Sequence, residues 1–224
     1  MLPLINPLRR PEPFDHPDWL FEPKFDGFRA AADTVRGQLI SRNGNRMKRF
    51  EQVLDLLPQG YVFDGELVVL DDAGRPRFNK LLFGDRRPTY VAFDLLIADG
   101  VDLRPLPLRD RKARLAQIAE RAEGWIALTN GVVGEGRALY RAVVDADLEG
   151  IVAKKLTDPY NPQRTRWHKI LNRDYSQRPG RAEWFRDHQG RDPKRRDQTP
   201  SSTSVGPANA TGICASYTKK GQEK

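Results

Sequence analysis

Short apolar runs, broken by glycine, proline and Asp-Gly pairs, dominate the first three-quarters of the chain. Trp19–Lys24, Phe28–Ala32 and Gln38–Arg42 have strand character and are separated by Gly27 and Gly37, residues that let the backbone turn. Tyr61–Leu70 is a longer β-rich run, and its Asp64-Gly65 interruption fits a bulge or a close approach to ligand. Asp71 to Gly74 reads as a turn, Phe78–Phe83 as a short helix, and Tyr90–Ala98 as an apolar strand closed by Asp99-Gly100. The period then changes. Leu108, Leu115 and Ile118 fall on one face of Leu108–Ala122, and Leu139, Val143 and Ala146 recur at helical spacing in Gly134–Ala146, which predicts two amphipathic helices. Trp125–Thr129, Gly150–Lys155 and Trp167–Leu171 complete the strands. Such a mixture predicts an α+β fold of mostly antiparallel sheets with flanking helices.

Composition divides the chain unevenly. Residues 1–18 contain five prolines and predict an extended arm before the first strand; residues 19–185 carry the apolar periodicity of one domain. Trp184-Phe185 is the last apolar anchor, and residues 186–224 form a polar, basic tail whose composition predicts disorder. The net charge is +8, of which +5 belongs to residues 173–224, leaving +3 for the first 172. A polyanion such as nucleic acid is the expected partner, bound by the domain through a local patch. Cys214 is the only cysteine, which excludes an intrachain disulfide and a cysteine-based metal cluster and fits a reducing cytoplasm. His16, His168 and His188 are too scattered for zinc-ligand spacing. Neither a signal peptide nor an apolar run of spanning length is evident, so no membrane association is expected.

The candidate chemistry begins at Glu22-Pro23-Lys24-Phe25-Asp26-Gly27-Phe28-Arg29, where one lysine stands among acids beside a glycine turn. An amine is nucleophilic only when deprotonated, and desolvation or nearby cations favour that state. The segment resembles the Lys-x-Asp-Gly-x-Arg motif of the covalent nucleotidyltransferases: ATP-dependent DNA ligases, RNA ligases and capping enzymes. Further segments follow in that superfamily's order. Ser41-Arg42-Asn43-Gly44 is similar to its second motif, Phe63 to Val68 to the third, Tyr90 to Leu96 to the aromatic strand under the base, Leu148 to Lys154 to the fourth, and Trp167 to Ile170 to the fifth. Glu-Gly-Ile-Val-Ala-Lys-Lys at 149–155, with Tyr175-Ser176-Gln177 and Gly180-Arg181, resembles bacterial end-joining DNA ligases most.

The resemblance implies the nucleotidyltransferase fold, ATP and Mg²⁺ as cofactors, and a reaction in which Lys24 takes AMP before passing it to a DNA 5′-phosphate. It implies roles by position: Lys154 and Lys169 neutralise the α-phosphate, Glu66 and Glu149 bind Mg²⁺, Glu22 accepts from the adenine amino group, and Phe93 stacks on the base. Arg29 would hold ribose or phosphate, and Arg42 the 5′-phosphate of nicked or broken duplex DNA. By their own residue types alone, Phe93 reads equally as core, and Asp26 either meets ligand or shapes the turn with Gly27. One departure stands out: Lys169-Ile170-Leu171 replaces the usual Lys-apolar-Lys. Leucine cannot donate to phosphate, so that contact is lost or supplied elsewhere, Lys155 and Arg173 being near in sequence. No OB domain follows the fifth motif, which implies help in trans from such a domain or an end-joining protein. An RNA ligase, a capping-type guanylyltransferase and a degenerate binding module are the alternatives.

Overall fold

The computed structural model describes residues 3–72, 74–84, 86–121 and 126–178, together with one strand at Ala215–Tyr217. In chain order the strands are β1 (Leu8–Arg9), β2 (His16–Lys24), β3 (Phe28–Asp33), β4 (Gln38–Ser41), β5 (Tyr61–Val68) and β6 (Thr89–Ala98). They continue as β7 (Val101–Asp102), β8 (Ala127–Thr129), β9 (Val132–Gly134), β10 (Gly150–Lys155), β11 (His168–Leu171) and β12 (Ala215–Tyr217). The α-helices are α1 (Phe78–Phe83), α2 (Leu108–Arg121) and α3 (Gly136–Asp145), and a 3₁₀ helix covers Lys48–Leu56.

Two sheets result. One has the order β1-β11-β10-β2-β9; the other runs β12-β8-β6-β5-β3-β4, with β7 attached to β6. Pairing is antiparallel except at β1 with β11 and β6 with β8. Mixed α+β architecture with mostly antiparallel sheets is therefore what the chain adopts.

Three apolar layers explain the strand patterns. Leu39, Phe63, Leu67 and Leu95 of the larger sheet pack with Leu115 and Ile118 of α2 and with Val53 and Leu54 of the 3₁₀ helix. Phe21, Ile151 and Ile170 of the smaller sheet pack with Val143 of α3. Between them, Ala31, Val62 and Leu96 meet Tyr160 and Trp167. Strand β6 is apolar on both faces because it is covered on both. A fully buried pair pins α2 to it: Arg111 Nε and Nη2 each donate at 2.8 Å to the Asp94 carboxylate. Removing one member of such a pair strands a buried charge, typically costing about 3–5 kcal/mol.

The register shifts where Asp64-Gly65 crosses β6, so the interruption is a bulge. A Cβ at Gly65 would stand 2.5 Å from the Tyr90 ring, which leaves room only for glycine. Other details depart from expectation. The proline-rich arm is docked as well as extended: Leu4 and Ile5 are buried in the layer between the sheets, and β1 joins β11. The first long strand begins at His16. Neither the 3₁₀ helix, which is rich in charged residues (Lys48, Arg49, Glu51, Asp55), nor β9, which is only three residues long, was expected from the sequence. Most of residues 186–224, like Trp184-Phe185 and Cys214, lies outside the described residues. Within that tail, Ala215–Tyr217 pairs antiparallel with β8. No described helix is long and apolar enough to cross a membrane.

Candidate active site

A cleft of about 1070 Å³ opens between the sheets. The nine residues to which the resemblance assigns nucleotide, metal or phosphate contacts all line it: Glu22, Lys24, Arg29, Arg42, Glu66, Phe93, Glu149, Lys154 and Lys169. Strand register accounts for the convergence. On β10, Gly150 pairs with Lys24 and Val152 with Glu22 across to β2, while Val152 also pairs with Lys169 and Gly150 with Leu171 across to β11. Because side chains two apart share a face, Glu22 and Lys24, Val152 and Lys154, and Lys169 and Leu171 all present to the same cavity. The opposite wall comes from Arg29 on β3, Glu66 on β5 and Phe93 on β6.

At the centre, Lys24 Nζ donates to Glu149 Oε2 at 2.6 Å. Gly27 passes so close to the Leu67 carbonyl that any Cβ there would overlap it, which fixes the turn following Lys24. Burial pushes the Glu66 carboxyl up to about 7, against the pull of Lys24 and Arg29, with Glu149 and Asp64 adding to the rise. Among the described residues no group of three or more His, Cys, Asp or Glu forms a closed metal cluster. Two carboxylates that face one lysine fit Mg²⁺, a hard cation that commonly takes one or two carboxylates and completes its shell with phosphate and water. Glu66 and Glu149 are thus suited to hold it.

Glu22 anchors one end of the cleft. It is buried; Lys112 Nζ and Thr129 Oγ1 each donate to its Oε1 at 2.6 Å, and Lys154 Nζ forms an ion pair with Oε2. Burial alone would raise this carboxyl, but Lys112 and Lys154 outweigh it and hold Glu22 down at about 2. Lys154 Nζ also lies 4.3 Å from the centre of the Phe93 ring and 4.2 Å from that of Trp167. Arg29 makes two 2.6 Å hydrogen bonds to Asp64, and its guanidinium lies 4.5 Å from the Phe93 centroid. Tyr160 OH donates to Asp64 Oδ2 at 2.6 Å and accepts from Ile5 N–H at 3.0 Å, tying the N-terminal segment to Arg29. Lys169 is drawn down by burial and by repulsion from Lys24 and Arg42. Phe93 joins the two open readings, since it packs in the layer between the sheets and lines the cleft.

Several of these partners were missed in the sequence. Lys112 and Thr129 sit outside every quoted motif, and nothing local marks them. Asp64 and Trp167 lay inside quoted motifs without a role. Asp26 is buried and accepts from Tyr175 OH at 3.1 Å, so it helps hold the turn. Leu171 does line the cleft, whereas Lys155 and Arg173 do not. Arg173 instead reaches Glu12 at 3.2 Å. Neither takes the place of the absent lysine.

Residues 11–170 match the family model described as ATP dependent DNA ligase domain. The SPbeta prophage-derived DNA ligase-like protein LigB of Bacillus subtilis is 32% identical over 178 residues, covering 74% of this chain and 66% of that protein. The multifunctional non-homologous end joining protein LigD of Pseudomonas aeruginosa is 35% identical over 167 residues, covering 68% of this chain but 20% of its own length. The chain thus spans just under two thirds of one relative and one fifth of the other. A mycobacterial DNA ligase D complexed with ATP and MES superposes with a TM-score of 0.66 at 28% identity, covering 75% of this chain and 60% of that one.

Proposed function

Because this chain belongs to the ATP-dependent DNA ligase family, we propose that it is the adenylation unit of such an enzyme, with Lys24 as the residue that accepts AMP. The observation that carries this reading is the Lys24–Glu149 pair at 2.6 Å, inside a cleft that also collects Lys169, Glu66 and Arg42. Catalysis of phosphoryl transfer consists mainly of alignment and charge stabilisation, and these residues supply both.

In the proposed step, the Lys24 ammonium gives up a proton and its Nζ lone pair attacks the α-phosphorus of ATP. A P–N bond forms, the α–β P–O bond breaks, pyrophosphate leaves with the bonding pair, and both the ammonium proton and the second proton shed by the new P–N nitrogen pass to solvent. Glu149 holds Lys24 in place beforehand, and its grip must loosen as the proton departs. Lys169 neutralises charge at the α-phosphate, while Lys154 contributes its field from its position between Glu22 and two aromatic rings. Mg²⁺ held by Glu66 and Glu149 would supply Lewis-acid charge to the phosphates. Glu22 and Phe93 flank the adenine end, with Lys112 and Thr129 fixing Glu22. Arg29, gripped by Asp64, presents its guanidinium toward ribose.

The AMP then passes to the 5′-phosphate of nicked or broken duplex DNA, which Arg42 engages; a 3′-hydroxyl displaces AMP to seal the strand. Residues 19–185, with the docked arm, form the catalytic unit. A DNA-clamping OB domain or an end-joining protein completes the enzyme, and the cytoplasm is where it works. Incubation with labelled ATP and Mg²⁺, followed by denaturing separation and peptide mass spectrometry, tests the reading. An AMP adduct on Lys24 is expected; its absence would sink the proposal.

A further inference from the structure

Beside the main cleft lies a second cavity of about 290 Å³, lined by Arg9, Glu149, Leu171, Tyr175 and Arg178. It shares Glu149 and Leu171 with the cleft, so the two spaces adjoin at the position where leucine replaces the usual second lysine. Register explains how an arginine from the N-terminal arm arrives there. Strand β1 lies parallel to β11 with Arg9 opposite Lys169. Neighbours across a ladder point to the same face, and Leu171, two residues beyond Lys169, shares it.

The electrostatics of this space favour an anion. Arg9 has no ion pair or hydrogen bond among the described residues, and its charge reaches far enough to help depress Lys169. Arg178 donates to the Asn172 carbonyl and has no carboxylate partner among the described residues. The one carboxylate in the wall, Glu149, already holds Lys24. Tyr175 directs its hydroxyl to Asp26. Two arginines therefore line a cavity whose only acid is compensated, and guanidinium's planar fork matches phosphoryl oxygens.

We propose that this side cavity is a phosphoryl-anion subsite in which Arg9 and Arg178 supply the contact that Leu171 cannot make. The inference rests on the adenylation reading above. Its ligand is a phosphoryl group from one of two sources, the pyrophosphate end of ATP or the 5′-phosphate of DNA.

Calorimetric titration of the full chain with inorganic pyrophosphate, and separately with a 5′-phosphorylated nicked duplex against its 5′-hydroxyl counterpart, tests it. In an Arg9→Gln/Arg178→Gln double variant, affinity for pyrophosphate should fall about tenfold if the subsite serves the nucleotide. If it serves DNA, the preference for the 5′-phosphorylated duplex should fall by a similar factor. Arg9→Lys/Arg178→Lys, which keeps the charge, should recover part of either loss. Unchanged affinity for both probes, or no binding of either to the unaltered chain, overturns the subsite. The AMP adduct on the unaltered chain is measured alongside: its absence defeats the adenylation reading, whereas an adduct with unchanged affinities defeats the subsite alone.

Discussion

Lys24 Nζ and Glu149 Oε2 stand 2.6 Å apart with both side chains largely withdrawn from solvent, so the candidate nucleophile is one half of an ion pair. The geometry selects a rotamer for a long, flexible side chain before any nucleotide arrives. It also sets a condition on the chemistry, since an ammonium bound to a carboxylate has no lone pair to donate. The two residues are 125 positions apart and meet because Gly150 pairs with Lys24 across β10 and β2.

Lys24→Ala should abolish the AMP adduct. The side chain lines a cleft and leaves no large apolar void, so the melting temperature should move by no more than a few degrees. Intact-mass measurement after incubation with ATP, with a thermal melt of the same sample, checks both halves; an undiminished adduct would remove Lys24 as nucleophile.

Glu149→Gln should raise the Mg²⁺ concentration needed for half-maximal adenylylation by roughly tenfold or more, the scale on which metal sites respond to altered ligation. The substitution keeps the size of the side chain and removes its charge. Initial adduct-formation rates across a Mg²⁺ titration provide the measurement, and a curve superimposable on that of the unaltered chain would exclude Glu149 from the metal site.

Glu22 predicts an acid-sensitive contribution to stability. Its folded value is held down at about 2 from an ordinary 4.5, so its contribution is complete above pH 4.5 and is lost as pH falls toward 2. Glu22→Gln cannot titrate and leaves Lys112 and Lys154 without their carboxylate. It should be less stable than the unaltered chain near neutral pH, and the gap should narrow below pH 4.5 by up to about 3 kcal/mol. Urea unfolding from pH 7 downward checks the sign, which is wrong if the gap widens in acid.

Tyr160→Phe should loosen Arg29 without touching the cleft directly. It removes the hydroxyl that donates to Asp64 and accepts from Ile5, both buried contacts, at a cost of about 1–3 kcal/mol. Since Arg29 depends on Asp64 for its orientation, the KM for ATP in adenylylation should rise more than the maximal rate falls. Equal KM values with a lowered melting temperature would assign Tyr160 to stability alone.

The order of motifs, the cleft-lining Lys24, Glu66 and Glu149, and the α+β pattern were legible in the chain itself. A strand's alternation, a helix's spacing and a glycine turn are set by neighbours within a few residues, so Lys24 with Gly27, or the bulge at Asp64-Gly65, announces itself locally. The partners that tune those residues do not. Lys112 meets Glu22 across 90 positions and Tyr160 meets Asp64 across 96, and neither carries a local mark. Arg9, in an arm that reads as a lead-in, reaches Leu171 only because β1 pairs with β11. Electrostatic environment depends on burial and on which charges lie within a few ångströms, and both are properties of packed sheets rather than of adjacent residues. Residue types and spacing thus marked the candidate chemistry of this chain, while the packing of strands, helix α2 and the N-terminal arm decided which groups surround the lysine at the centre of the cleft.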